Sequence, residues 1–404
     1  MSFARLKPIV VIFSLAMILR IFFLFAYNHG KFLKDEISGS DEVVYSTIAD
    51  NFSSGKGFVI DSIYARRTPV YPLFLAVVYS LTKHSVVAVR VAQCFLGAFS
   101  CLLLYFIATQ IFKEKVGLIA GVICAVDYSM LQLSAYLVSE TLYIFLFLFA
   151  FLFFLLYYRY KNSCYIVFSG ILFGLTSLCR ELAVFMLFIT AVWMVIFING
   201  ALKVRIKPAA IFIIFALIVI APWVLRNYRI YHRIIPFTVS SGHSLYLGNN
   251  EHTPAWIGGY ENPSWNMPLD VSNFFTPETD ELLKKKALRF MAENPKRSVI
   301  YAKDKLINMW QPYYSDSRLL SKVVMSILYP SVLVCGLLGL LVTLAKSKIS
   351  LLVIFSLVFY TLVHIFTISG IRYRYPLMPF LMIYAAYILN MILEFLIYRR
   401  RGAG

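Results

Sequence analysis

Charge is scarce in this 404-residue chain: only 14% of its residues are Asp, Glu, Lys or Arg, and 20 acids face 38 basic residues. Soluble domains carry about 25% charged residues, so an ordinary cytosolic enzyme is excluded. Cysteine is limited to six positions (94, 101, 124, 164, 179 and 335), all within or at the edge of apolar runs. No disulfide framework is therefore expected. The histidines His29, His84, His232, His243, His252 and His364 show neither a His-x-x-x-His nor a His-Glu-x-x-His spacing, which argues against a dedicated metal centre. A Walker loop, a Gly-rich dinucleotide fingerprint and a Gly-x-Ser-x-Gly elbow are all missing. No internal repeat relates the two halves, which weakens a transporter built from inverted repeats.

What is present is apolar. The chain is 60% hydrophobic and 17% aromatic, with a mean hydropathy of +0.75. Ten strong apolar runs cover 8–27, 86–112, 116–137, 139–158, 164–180, 182–200, 209–225, 323–345, 349–369 and 376–398. Runs near 20 residues cross about 30 Å of hydrocarbon, so the expectation is a polytopic membrane protein with both termini on one side. The basic residues test that count, because cytoplasmic loops are enriched in Lys and Arg. Arg5, Lys7, Lys113, Lys115, Arg159, Lys161, Lys203, Arg205, Lys207, Lys346, Lys348 and Arg399 to Arg401 fall on one side, 14 in all, against the single acid Glu114. That side is cytoplasmic and holds +13 of the formal +18. The charge thus reflects topology and headgroup contact, and no nucleic-acid partner is implied.

The run Val70–Leu81 is too short to span and is expected to lie in or re-enter the outer interface. The first run ends in Tyr27-Asn28-His29-Gly30, with no small-x-small cleavage site, and reads as an uncleaved anchor. Three regions follow: 1–225 as an N-terminal membrane module with a first outer loop over 28–85, 226–322 as an extracytoplasmic region with a helix over 277–293, and 323–404 as C-terminal membrane helices.

The candidate chemistry lies at the outer ends. In Ser40–Phe52, helical spacing puts Asp41, Tyr45, Ile48, Ala49 and Phe52 on one stripe, with Glu42, Ser46 and Asp50 largely opposite. A carboxylate on the face pressed against the membrane domain is costly unless it is paired or lines a polar cavity. The plainer alternative is a helix start, capped by Ser38 or Ser40, with two acids complementing the dipole; the two readings are compatible. Arg66 and Arg67 suit a phosphate ester or ordinary headgroup anchoring. Arg372 and Arg374 break the positive-inside pattern, and serve either a site or an aromatic belt with snorkelling side chains. Arg226, Arg229 and Arg233 extend the same basic rim. Glu140 opens the fourth span behind Ser139, on the same membrane face as Asp41. Asp127 lies inside the third run with no evident partner. Asn51-Phe52-Ser53 matches a glycosylation sequon whose interfacial position argues against its use.

Six blocks then follow in order. They are Asp41-Glu42-x-x-Tyr45 with Gly-Lys-Gly-Phe (55–58), Arg67-x-Pro69-x-Tyr71-Pro72, Ser139-Glu140-Thr141-Leu142, Ala221-Pro222-Trp223 with Arg226-Asn227-Tyr228, Leu245-Tyr246-Leu247-Gly248-Asn249-Asn250, and Arg372-Tyr373-Arg374-Tyr375-Pro376-Leu377. Together they resemble the GT-C membrane glycosyltransferases, and among them enzymes similar to bacterial protein O-mannosyltransferases and the lipid A aminoarabinose transferase. The resemblance implies an all-α polytopic membrane protein of the GT-C fold, with about ten transmembrane helices, outer juxtamembrane helices and a small extracytoplasmic loop domain. It implies transfer of a sugar from a polyprenyl-phosphate donor to a glycan, lipid or protein acceptor outside the bacterial inner membrane, with inversion. By that resemblance Asp41 and Glu140 take the catalytic acidic positions and Arg67 binds the donor phosphate; from their outer position and charge, Arg66 and Arg372 or Arg374 are further candidates for the same phosphate. Glu42, Tyr45, Tyr71, Arg180, Arg226 and His243 are further pocket candidates. No cofactor is indicated, and a divalent metal is left open.

From another class, a transporter or flippase of a lipid-linked saccharide would rest on Arg20 and Asp127, the ionisable residues inside apolar runs. A non-catalytic subunit or sensor holding a lipid is the remaining reading.

Overall fold

A computed structural model describes residues 3–26, 32–37, 39–251, 253, 275–313 and 319–402. Ser38, His29, His252 and the sequence 27–30, all weighed above, lie outside the described residues, as does part of the 226–322 region. The described chain is built from α-helices, with one isolated bridge between Ile60 and Ile63.

In chain order the helices are α1 (Phe3–Ala26), α2 (Ser40–Ser53), α3 (Val70–Thr82), α4 (Val86–Ile111), α5 (Glu114–Val126), α6 (Tyr128–Ala135), α7 (Glu140–Tyr160), α8 (Ser163–Cys179), α9 (Ala183–Phe197), α10 (Leu202–Tyr231), α11 (Ser241–Gly248), α12 (Pro277–Glu293), α13 (Pro295–Trp310), α14 (Leu319–Leu344), α15 (Lys348–Phe366) and α16 (Met378–Gly402). A short 3-10 helix, Ile371–Arg374, joins α15 to α16.

All ten apolar runs are helical, but they are not ten equal spans. Seven helices among the described residues are long and apolar enough to cross a membrane. The third run is broken: α5 and α6 meet at 53°, because Asp127 leaves the helix and its side chain accepts a hydrogen bond from the Met130 amide at 3.0 Å. Asp127, without an evident partner in the sequence, is thus a helix cap. Helices α8 and α9 have 17 and 15 residues, lengths of only about 25 and 22 Å at 1.5 Å per residue. The chain is a multi-pass membrane protein; its described residues hold seven helices long enough to span, one bent pair and three shorter apolar helices, α3, α8 and α9.

Packing follows the small residues. A Cβ on Gly336 or Gly339 of α14 would lie 2.7 or 2.4 Å from a backbone carbonyl of α16, so those helices meet at backbone distance. Aromatic rings continue the core across α7, α8, α10 and α16: Phe147 meets Phe173 and Phe380, and Phe173 meets Phe212. Large apolar side chains left outside, such as Val10, Ile18, Phe22, Leu217 and Ile218, form the surface that a bilayer would cover.

Two buried arginines organise the ends of this bundle. Arg90 of α4 donates to the carbonyls of Ala135, Phe32, Lys34 and Glu36. Arg20 of α1 donates to Ala16 O and to Cys101 Sγ. Arg20 and Asp127, on which a transport reading rested, are therefore both tied into local structure.

Candidate functional site

Helix α2 is held from both faces. Its first turn is closed by Glu42, whose Oε2 accepts from the Gly39 amide at 2.9 Å while Oε1 accepts from the Leu137 amide at 2.8 Å. Ser40 is the first helical residue and Gly39 the cap position, so Ser40 does not cap the helix. Glu42 is buried and anchors α2 to the α6–α7 connection. Ser46, on the same supposedly polar side, is also buried and shares a 3.0 Å hydrogen bond with Tyr79. The polar stripe of α2 is consumed by packing on α3 and the loop before α7.

The opposite stripe carries Asp41 and Tyr45. The Tyr45 hydroxyl donates to Ser139 Oγ at 3.3 Å, and its ring meets Tyr71 edge-on at 4.8 Å. Tyr71 donates to Gln93 Oε1 at 2.8 Å, and Gln93 in turn donates to the Ser134 and Tyr136 carbonyls. Tyr45 and Tyr71 thus position the wall behind Asp41. Ser139 serves this wall and makes no side-chain cap bond to α7.

Five charged side chains from five segments converge in front of it. Arg67 Nη2 lies 2.5 Å from Asp41 Oδ1, and Arg372 Nη2 lies 2.7 Å from Asp41 Oδ2. Arg372 Nε lies 2.8 Å from Glu140 Oε1, which Arg180 Nη1 approaches at 2.6 Å. The order is Arg67–Asp41–Arg372–Glu140–Arg180, three guanidiniums against two carboxylates. Glu140 is fully buried beneath the row, whereas the side chains of Arg67, Asp41, Arg372 and Arg180 are 27%, 19%, 18% and 15% exposed. The row therefore has one accessible rim.

Burial alone would raise the Asp41 carboxyl, but the Arg372 and Arg67 charges beside it together hold it well below the usual carboxylate range. Arg67 keeps its charge against burial because Tyr45 and Asp41 favour it. Both oxygens of Asp41 and Oε1 of Glu140 are engaged by guanidinium nitrogens of Arg67, Arg372 and Arg180. Among the described residues no three His, Cys, Asp or Glu side chains gather as metal ligands.

The remaining candidates are elsewhere. Arg374, two residues from Arg372, is fully buried and donates to the Met309, Gln311 and Pro312 carbonyls, with its guanidinium 3.8 Å over the Tyr329 ring. It secures the end of α13 and is not among the side chains of the Arg67–Asp41–Arg372–Glu140–Arg180 row. Arg226 donates to the Phe58 and Tyr64 carbonyls and lies over Trp223, so it holds the first loop to α10. Arg66 reaches Asp61 only at 3.9 Å and lies over the Phe275 ring at 4.6 Å. It stands beside the row and is not part of it.

His243 of α11 meets the same Phe275 ring at 5.0 Å. Burial, with the Arg67 and Arg66 charges facing it, holds its imidazole down at about 4, against an ordinary 6.5. The unfolded chain takes this proton below about 6.5 and the folded chain only near 4, so the contribution to stability is complete above 6.5 and falls as pH drops towards 4. His243→Gln should flatten the stability–pH curve in that window, measured by thermal unfolding in detergent; an unaltered slope would refute the assignment.

Two participants were not given their weight by sequence reasoning. Arg180 ranked only as a weaker candidate, yet it shares Glu140 with Arg372. Glu181, its neighbour, accepts from Thr238 at 2.7 Å, and burial raises its carboxyl, against the Arg67 and Arg180 charges. The available signal was an acid–base pair between two short apolar runs.

A family model described as dolichyl-phosphate-mannose-protein mannosyltransferase matches residues 66–225. No curated protein matches the chain in sequence. The oligosaccharyltransferase of Archaeoglobus fulgidus in its apo form superposes with a TM-score of 0.62 at 14% identity, covering 98% of this chain and 51% of that one. The same archaeal enzyme, AglB, in complex with an inhibitory peptide and a dolichol-phosphate gives 0.60 at 13% identity, covering 99% and 52%. ArnT of Cupriavidus metallidurans bound to undecaprenyl phosphate gives 0.47 at 11% identity, covering 94% and 77%. The chain spans about half the length of the archaeal enzyme. With that likeness over nearly its whole length, and with Asp41, Glu140 and three arginines gathered at one end of its bundle, this chain has the fold of the GT-C membrane glycosyltransferases.

Proposed function

We propose that this protein is a membrane glycosyltransferase that moves a sugar from a polyprenyl-phosphate donor to a glycan, lipid or protein acceptor. The observation that carries this reading is the row of three guanidiniums interleaved with Asp41 and Glu140. It has one positive charge in excess, and a phosphodiester carries one negative charge. The dolichol-phosphate held by the archaeal relative of this fold supports the same class of lipid.

The chemistry follows from the charges. Breaking a sugar–phosphate bond builds negative charge on the leaving phosphate, which Arg67 and Arg372 are placed to receive. The acceptor hydroxyl needs a base, and Asp41 is the carboxylate on the accessible rim. Attack from the side opposite the phosphate gives a single inverting displacement. Glu140 holds Arg372 and Arg180 from below and does not itself reach the rim.

The excess of Lys and Arg on the loops opposite this site supports an orientation with both termini cytoplasmic and the site facing out, in a bacterial cytoplasmic membrane. The division into 1–225, 226–322 and 323–404 belongs to the same proposal. Purified protein in liposomes supplied with a labelled polyprenyl-phosphate sugar should transfer the label with inversion, and Asp41→Asn should abolish that transfer. A variant that still transferred sugar would overturn the assignment, and lipid movement without cleavage of the sugar–phosphate bond would identify a flippase.

A further inference from the structure

The guanidiniums assigned to the donor phosphate are already engaged. Arg67 Nη2 and Arg372 Nη2 hold the two oxygens of Asp41 at 2.5 and 2.7 Å, so the base is locked to the groups that must take the leaving group. A carboxylate gripped by two cations is a weak base, because a proton on it would forfeit both ion pairs. An anion entering the row has to share those same nitrogens.

Resting on the glycosyltransferase reading, we propose that Asp41 and the donor phosphate compete for Arg67, so that donor binding is the event that releases Asp41 to act as base.

The geometry singles out Arg67 as the group that changes partner. Arg372 is anchored twice, through Nη2 to Asp41 and through Nε to Glu140, and Glu140 is fixed from below by Arg180. Arg67 has a single ion-paired acid among the described residues, Asp41, and is the most exposed of the three guanidiniums at 27%. Its Nε has no hydrogen-bond partner among the described residues although that atom is buried, which leaves a donor for an incoming oxygen. Its guanidinium lies 5.5 Å from the Tyr45 ring centre, a surface along which the planar cation can turn without losing its support. The other charged groups near Asp41 and Arg67 are Arg66, Glu181 and His243. None of them is ion-paired with Asp41.

In the resulting step, the acceptor hydroxyl gives its proton to Asp41 Oδ1, the oxygen released by Arg67, while Oδ2 stays paired with Arg372. The acceptor oxygen forms a bond to the anomeric carbon, the bond from that carbon to the phosphate oxygen breaks, and the electron pair leaves with the phosphate. Before the donor arrives, Asp41 is occupied and water finds no base. After transfer, Asp41 passes its proton to water at the accessible rim, and return of the carboxylate to Arg67 helps to expel the polyprenyl phosphate. The row thus orders the reaction, donor before proton transfer.

Competition has a signature that a supporting role for Asp41 lacks. The affinity for polyprenyl phosphate alone is measured in nanodiscs for the wild type and for Asp41→Asn. Removing the competitor should tighten binding about tenfold, within the usual range of coupling between charged sites, while transfer is lost. Equal or weaker binding by a folded Asp41→Asn protein would overturn the exchange and leave the glycosyltransferase reading standing. A wild type that neither bound polyprenyl phosphate nor transferred sugar would overturn that reading and this inference with it. Should Asp41→Asn fail to fold, the wild type labelled with 13C-aspartate decides. Adding polyprenyl phosphate should shift a carboxylate band in the infrared difference spectrum, and an unmoved spectrum refutes the exchange.

Discussion

Arg372→Ala is expected to lower sugar transfer by about a hundred- to a thousandfold, the scale seen when a charge-stabilising donor is removed from an active site, while the helix bundle stays assembled. Among the described residues Arg372 is the one side chain ion-paired with both carboxylates, through Nη2 to Asp41 and Nε to Glu140. Without it the row falls into two separate pairs, Arg67–Asp41 and Arg180–Glu140. Each acid keeps one cation, so neither is left as an orphaned buried charge, and the fold survives. The excess positive charge that matched a phosphodiester is lost, so donor affinity should fall along with turnover. Arg372→Lys restores the charge but not the two-nitrogen reach, and should recover only part of the loss. Transfer and polyprenyl phosphate binding are measured in the same liposomes. An alanine variant retaining a tenth of wild-type turnover would remove Arg372 from the mechanism.

Arg374→Ala should do the reverse, costing the fold about 3–5 kcal/mol, since it strands several buried acceptors at about 1–3 kcal/mol each. Its guanidinium serves three carbonyls, those of Met309, Gln311 and Pro312, and covers the Tyr329 ring at 3.8 Å. Truncation leaves those carbonyls buried without a donor and opens a void between α13 and α14. Lysine cannot replace it, since a single ammonium does not span three acceptors in a plane. Thermal unfolding in detergent is the test, and an unfolding temperature equal to the wild type would refute the role. Protein that does fold should bind polyprenyl phosphate as the wild type does, because the hydrogen bonds of Arg374 go to Met309, Gln311 and Pro312 and not to the row.

Arg372 and Arg374 also mark where reading from sequence ends. Both break the positive-inside pattern, and both were assigned to the phosphate for that reason. They lie on a 3-10 helix, where three residues complete a turn, so side chains two positions apart point in widely different directions. One faces Asp41, and the other enters the gap behind Tyr329. Periodicity predicts that they diverge, but which of them meets the carboxylates depends on where α2 and α13 have packed. Glu42 teaches the same lesson in an acid. Its place opposite Asp41 on α2 was read correctly, yet the face it occupies is buried against the Leu137 amide, which comes from 95 residues along the chain.

Several conclusions rest on the amino-acid order alone. Apolar runs too long for a soluble core determine a membrane protein, because every backbone group in hydrocarbon must be satisfied within a helix. Lone charges at the ends of such runs mark Asp41, Glu140, Arg67 and Arg372, since an ionised group there is expensive unless it is paired or used. Partnership was decided only by the tertiary structure. Arg180 joined the row while Arg66, Arg226 and Arg374 did not, because an ion pair depends on a few ångströms between residues far apart in sequence, and helix packing alone sets that distance.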